Sequence, residues 1–181
     1  MKKLYLTFVF SLALTSFIFA GEPVPGAEVF VEQEPNEEPM AFQQTGSSGT
    51  ITFDHLDKGV YSIYIHLPKL EGKLIKGREK VKAETTSVYD ANKKAYYIRE
   101  PQGFFTVKFD GIKKIAGSNI SPAYEKVKRN DDSRLLIARF TVTDNSGEIT
   151  LKVEAITPKE FESKAKRVKH DTAKNTINNI R

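Results

Sequence analysis

The chain has 181 residues with no cysteine and no tryptophan, and its 28 basic residues outnumber 23 acidic ones to give a formal net charge of +5. The missing cysteine excludes disulfides, thiolate nucleophiles and cysteine-bound metals, and the missing tryptophan removes the strongest stacking platform for a sugar ring. The charge is also unevenly spread: Gly21 to Pro68 holds eight acidic residues against one basic, whereas Lys69 to Arg181 holds 25 basic against 15 acidic. Segments of opposite sign attract one another or present different faces to different partners.

The first twenty residues, MKKLYLTFVFSLALTSFIFA, begin with Lys2 and Lys3, continue with an apolar stretch from Leu4 to Phe19 and end on the small Ala20. That order is the grammar of a cleavable secretion signal, residues 1–20. The apolar stretch is shorter than the roughly 20 residues a membrane span needs, and no later segment is long enough either. The chain is therefore expected to be exported, periplasmic or secreted, and to carry no transmembrane segment once the signal is cut.

A first strand is read in GAEVFVEQ, where Ala27, Val29 and Val31 share one face and Glu28 and Glu32 take the other. Phe30 breaks the alternation, so the outer face is expected to be partly covered. Glu34 to Pro39, with two prolines and three acids, reads as a solvated loop. After the TGSSG turn a second strand points Ile51 and Phe53 inward, and Asp57, Lys58 and Gly59 turn the chain into a third that places Tyr61, Ile63 and Ile65 on one face.

Between Lys69 and Asn92 apolar anchors are few, and Leu74, Ile75 and Val81 support at most one or two edge strands. The bland account of the lysines there is edge protection. The functional account is a contact for an anionic ligand through Lys73, Lys76, Arg78 and Lys80.

Strand periodicity returns in KAYYIRE and in GFFTVKFDG, where Phe105, Val107 and Phe109 alternate with Thr106 and Lys108. Ile112 to Ser133 is polar, and reads as a long loop or a short helix around Ala123 to Lys128. The next run, LLIARFTVTDNSGEITLKVEAI, has the pattern of a hairpin. Leu136, Ala138, Phe140 and Val142 line its first strand, Ile149, Leu151, Val153 and Ala155 its second, and Asp144 to Gly147 connects them.

Thr157, Pro158 and Glu160 form a capping box with proline at the first helical position, followed by Phe161, Ala165 and Val168 at helical spacing. A C-terminal helix is expected over 157–181, fraying past His170 where apolar residues become sparse.

The residues Val24, Gly26, Ala27 and Val29, followed by Thr45, Gly49, Phe53, Leu56, Gly59 and Tyr61, carry a resemblance. Over roughly residues 23–65 the chain resembles the carboxypeptidase-regulatory-like, or Cna-B and prealbumin-like, family of β-sandwich domains. It departs from the family pattern at Gly46, where Asp or Asn is usual. The intramolecular isopeptide bond of some relatives is not carried over, because the first strand offers no lysine.

The fold expected is mainly β, a prealbumin-like or immunoglobulin-like antiparallel sandwich starting within 21–68, with room to extend to about residue 92. Residues 93–156 either finish that sandwich or build a second β domain. No G-x-S-x-G, H-E-x-x-H, Walker or Rossmann pattern occurs. His55, His66 and His170 stand apart; Asp54, His55 and Asp57 are weighed as a cation site and set aside, because Asp54 and His55 diverge as neighbours on a strand; and Tyr64, Tyr96 and Tyr97 are candidate exposed stacking residues.

The expected function is that of a non-enzymatic cell-envelope accessory or protein-interaction module without a cofactor or metal. Its partner would be an envelope or extracellular protein or glycan, with nucleic acid excluded by export. The alternative is a binder of an anionic glycan or envelope lipid through the basic stripe.

Overall fold

The computed structural model describes residues 21–35, 39–70, 86–113, 121–129 and 132–178. Alternating side chains build β1 (Glu22–Pro23), β2 (Glu28–Glu34), β3 (Pro39–Gln44), β4 (Thr50–Leu56) and β5 (Gly59–His66). They are followed by β6 (Thr86–Asp90), β7 (Ala95–Glu100), β8 (Gly103–Lys113), β9 (Ser121–Arg129), β10 (Asp132–Val142), β11 (Gly147–Ala155) and the helix α1 (Pro158–Asn178). Two antiparallel sheets result. One runs β1-β11-β8-β7-β6, with β4 beside β1 on the same edge of β11, and the other runs β3-β2-β5-β10-β9.

The sheets pack face to face as a sandwich whose interior is drawn from strands between Val24 and Ala155. Val29, Val31, Phe53, Tyr61, Ile63 and Ile65 meet Phe105, Val107, Phe140, Leu151 and Val153 in one buried cluster. Because β4 pairs with β11 and β5 with β10, strands from 93–156 complete the sheets that 21–68 begins. At roughly 25 cal/mol per Å² of apolar area, this continuous interior is the main favourable term holding a chain without disulfides.

The expected hairpin across Asp144 to Gly147 is corrected: β10 and β11 lie in different sheets. Period-two alternation specifies which face of a strand is apolar but leaves its hydrogen-bonding neighbour open. Here the two apolar faces oppose each other across the interior, and β10 and β11 take their ladders from β5 and β8.

A bulge also corrects the inward set of β10. Leu136 pairs with Tyr64 and Ala138 with Ile63, so Ile137 is an extra residue on the bulged strand. The insertion switches strand parity: Leu135, Ile137, Ala138, Phe140 and Val142 join the interior, while Leu136 turns outward beside Phe30 and Tyr64.

Further strands were not expected. Ser121–Arg129, read as loop or helix, is the edge strand β9, held by its ladder to β10; an edge needs only one ladder and accommodates charge. Pro39–Gln44 pairs with β2 at the opposite edge. Residues 36–38 of the acidic loop and the supposed edge strands at Leu74, Ile75 and Val81 lie outside the described residues.

The outer face of the five-stranded sheet joins the two differently charged halves of the sequence. Glu28, Phe30, Glu32 and Glu34 recur every second residue on β2, and each glutamate meets a group from later in the chain. His66 Nδ1 lies 3.0 Å from Glu28, Arg134 3.9 Å from Glu32 and Arg139 3.3 Å from Glu34, which also accepts a 2.8 Å bond from Ser62. Glu32 is buried rather than solvated. The Arg134 guanidinium stacks 3.5 Å above the Phe30 ring centre, which accounts for part of the covering expected there.

The helix starts as its sequence requires. Thr157 N–H donates to Glu160 Oε2 at 2.8 Å, and Glu160 N–H donates back to Thr157 Oγ1 at 3.2 Å. Phe161, Ala165 and Val168 then pack on Tyr97, Phe104 and Val88, so α1 lies on the outer face of the six-stranded sheet over β6, β7 and β8. Helical backbone extends to Asn178. Among the described residues no helix is long and apolar enough to cross a membrane.

Candidate functional site

Docking of α1 leaves a hollow of about 360 Å³ between its first turns and the strands beneath. The turn after β6 contributes Lys93, β8 contributes Lys108, β11 contributes Glu154 and α1 contributes Glu160 and Lys164. Tyr97 and Ile156 supply apolar wall, and Gly21 stands at the rim where β1 begins. Each wall belongs to a strand, a tight turn or a capped helix, so the hollow is held by ordered backbone.

Sheet register explains the grouping. Ala95 pairs with Lys108 and Tyr97 with Thr106 between β7 and β8, while Glu154 pairs with Thr106 between β8 and β11. Side chains two apart on one strand share a face, so this register sets an acid, a base and a tyrosine on adjacent rungs. Asp90 secures the neighbouring turn, accepting a 3.2 Å bond from Lys93 N–H and a 2.9 Å bond from the Arg167 guanidinium of α1.

The charges in the hollow are unequally satisfied. Lys108 is paired with Asp110, and Lys152 lies 2.7 Å from Glu154 Oε1, a contact that raises the Lys152 pKa above the ordinary lysine range. Glu160 Oε2 is spent on the helix cap. Burial, followed by the like charges of Lys164 and Arg167, holds the Lys93 amine below the usual lysine range against the opposing pull of Asp90. Among the described residues no carboxylate lies within ion-pair distance of the Lys93 or Lys164 amine.

The residues singled out by sequence are distributed differently. Lys73, Lys76, Arg78 and Lys80 lie outside the described residues. His55, His66 and His170 stand on β4, β5 and α1, each beside a different carboxylate: Asp54, Glu28 and Asp171. Among the described residues no group of three His, Asp or Glu side chains is arranged to hold a metal ion.

The three tyrosines expected on the surface are buried, which corrects their reading as an exposed stacking platform. Tyr64 is covered beside Phe30 and Leu136, Tyr96 lies in the sandwich interior and Tyr97 lies beneath α1. Lys93, Lys108 and Lys164 escaped notice because each reads singly as a solvated charge. The helix cap and the Phe161, Ala165, Val168 stripe announce a docked helix, and that docking is what gathers them.

The motif residues of the first strands act structurally. Thr45 Oγ1 accepts from Ala27 N–H at 2.8 Å and donates to the Val24 carbonyl at 2.6 Å, and Tyr61 OH donates to the Asp57 carbonyl at 2.8 Å. No protein-family model matches the chain, and no curated protein or solved structure matches it.

Proposed function

We propose that the protein is a non-enzymatic, exported interaction module of the cell envelope, in which a prealbumin-like sandwich serves as a stiff support for a binding face. The observation that carries this reading is the α1 hollow, whose walls come from three strands, a turn and a capped helix resting on one continuous interior. Such a support holds polar groups in place before a partner arrives, which lowers the ordering cost of binding. The structural use of Thr45 and Tyr61 supports the prealbumin-like assignment, and the signal-like residues 1–20 support export.

The expected mature chain begins at Gly21, which N-terminal sequencing of the exported protein tests directly. Immobilised protein should retain an envelope component that a Lys93→Glu, Lys164→Glu variant releases. Catalytic turnover of a ligand bound in the hollow would overturn the non-enzymatic reading.

Lys93 and Lys164, without a carboxylate in ion-pair distance among the described residues, favour a second reading, binding of an anionic glycan or envelope lipid. The Lys69 to Lys82 stripe is an independent candidate for the same chemistry, through Lys73, Lys76, Arg78 and Lys80. Retention on heparin distinguishes them, since replacement of Lys73, Lys76, Arg78 and Lys80 lowers the eluting salt only if the stripe makes the contact.

A further inference from the structure

We infer that the α1 hollow binds one acidic sugar unit, a ring that carries a carboxylate or phosphate beside free hydroxyls. The inference rests on the binding reading above and names the chemistry of its ligand. Lys93, from a turn, and Lys164, from the helix, both line the hollow, and among the described residues neither amine has a carboxylate within ion-pair distance. Two like charges on one small concavity repel, and an anion placed between them removes that repulsion.

The anion is not expected to come alone. Glu154 uses Oε1 for Lys152 and Glu160 uses Oε2 for the helix cap. Among the described residues the second oxygen of each accepts no hydrogen bond. A carboxylate oxygen accepts from a hydroxyl but repels a second anion, so these glutamates select against a bare polyanion and for a ligand with O–H groups.

Lys108, already neutralised by Asp110, adds donors without adding to the net charge. Tyr97 and Ile156, buried beneath α1, close the floor of the hollow, so the ring would be held by its polar groups rather than by stacking. The volume of about 360 Å³ falls at the lower end of small-molecule sites, which span roughly 300–1,000 Å³. It suits one ring and excludes a long chain lying wholly inside.

The test is NMR titration of the exported protein with glucuronate, glucose and inorganic phosphate as probes. Glucuronate is expected to shift amides of Lys93, Ala95, Thr106 and Lys164, with glucose at least tenfold weaker. Lys93→Gln and Lys164→Gln should each weaken glucuronate about five- to tenfold, and unchanged melting would show that the fold is kept. Glu154→Gln should weaken glucuronate while leaving inorganic phosphate unaffected or tighter.

Equal binding of glucose, or unchanged glucuronate affinity in both lysine variants, would overturn the inference. Phosphate binding as tightly as glucuronate would overturn its sugar component, reducing the site to a simple anion sink. Absence of all three responses, with retention of an envelope component still dependent on the hollow, would remove this ligand while leaving the interaction-module reading intact.

Discussion

The Thr45 hydroxyl stands 2.8 Å from the Ala27 amide and accepts its hydrogen, joining the end of β3 to the start of β2. The same oxygen donates to the Val24 carbonyl at 2.6 Å, and Thr45 is buried, so water cannot replace either bond. Two backbone groups thus depend on one side chain. Thr45→Val keeps the shape, strands both groups and should lower stability by about 2–4 kcal/mol. Thr45→Ser keeps both bonds and should cost about 1 kcal/mol for the lost methyl. Urea denaturation measures the difference, and equal midpoints for the two variants would refute the hydrogen-bonding account.

Gly49 and Gly46 lie in the same turn and make opposite demands. Gly49 has φ of +68°, and a Cβ there would stand 2.4 Å from the Val153 carbonyl oxygen, a backbone atom that cannot swing aside. Gly49→Ala should therefore cost at least about 2 kcal/mol and loosen the contact of this turn with β11. At Gly46 nothing lies within 4 Å of the corresponding Cβ. Gly46→Ala should be neutral or stabilise by a few tenths of a kcal/mol through the unfolded chain. Thermal midpoints of the pair decide the matter.

What the sequence made legible, and what it did not, follows from the range of the forces involved. Ile51, Phe53, Tyr61, Ile63, Ile65, Phe105, Val107 and Phe109 declare their faces by alternation, and all are buried. Thr157 and Glu160 declare the helix start through contacts three residues apart. The placement of β10 opposite β11 is a long-range choice that neither strand encodes alone, and the Asp144 to Gly147 segment is compatible with a tight hairpin or a step between sheets. The site was harder still. A contiguous stripe such as Lys69 to Lys82 attracts notice, whereas Lys93 and Lys164 converge only after α1 has docked.

That docking is separable from the sandwich. Phe161 is 3% exposed, its ring lies 5.5 Å from Phe104, and the Arg99 guanidinium is 5.7 Å above it. Phe161→Ala removes the largest apolar contact of the helix, a change that typically costs about 3–5 kcal/mol in a packed site. The expected consequence is local: α1 amides lose hydrogen-exchange protection while β5, β8 and β11 keep theirs. Any ligand of the hollow should be lost with it. Uniform loss of protection would show instead that helix and sandwich unfold as one unit.

Alkaline pH should destabilise the fold through its buried phenols. Burial is the leading cause of the raised pKa of Tyr61, Tyr89, Tyr96 and Tyr97, and the shift is largest at Tyr96, whose ring lies 4.8 Å from Tyr89. Below the ordinary tyrosine value of 10.0 both folded and unfolded chains hold these protons. Above it the unfolded chain releases them first, so it binds fewer protons than the folded one and stability falls as pH rises. Each tyrosine that titrates only in the unfolded chain adds about 1.4 kcal/mol of loss per pH unit, until its folded-state value is also passed. Lys93 acts in the opposite sense, because the fold lowers its pKa and unfolding must take up a proton, but its exposure keeps that contribution small. Tyr96→Phe should match the parent's pH response near pH 8, where no phenol ionises, and lose less of its own stability by about pH 11. Urea midpoints of both proteins at the two pH values separate this from general lysine discharge, which the variant shares, and parallel declines would exclude Tyr96 as the cause.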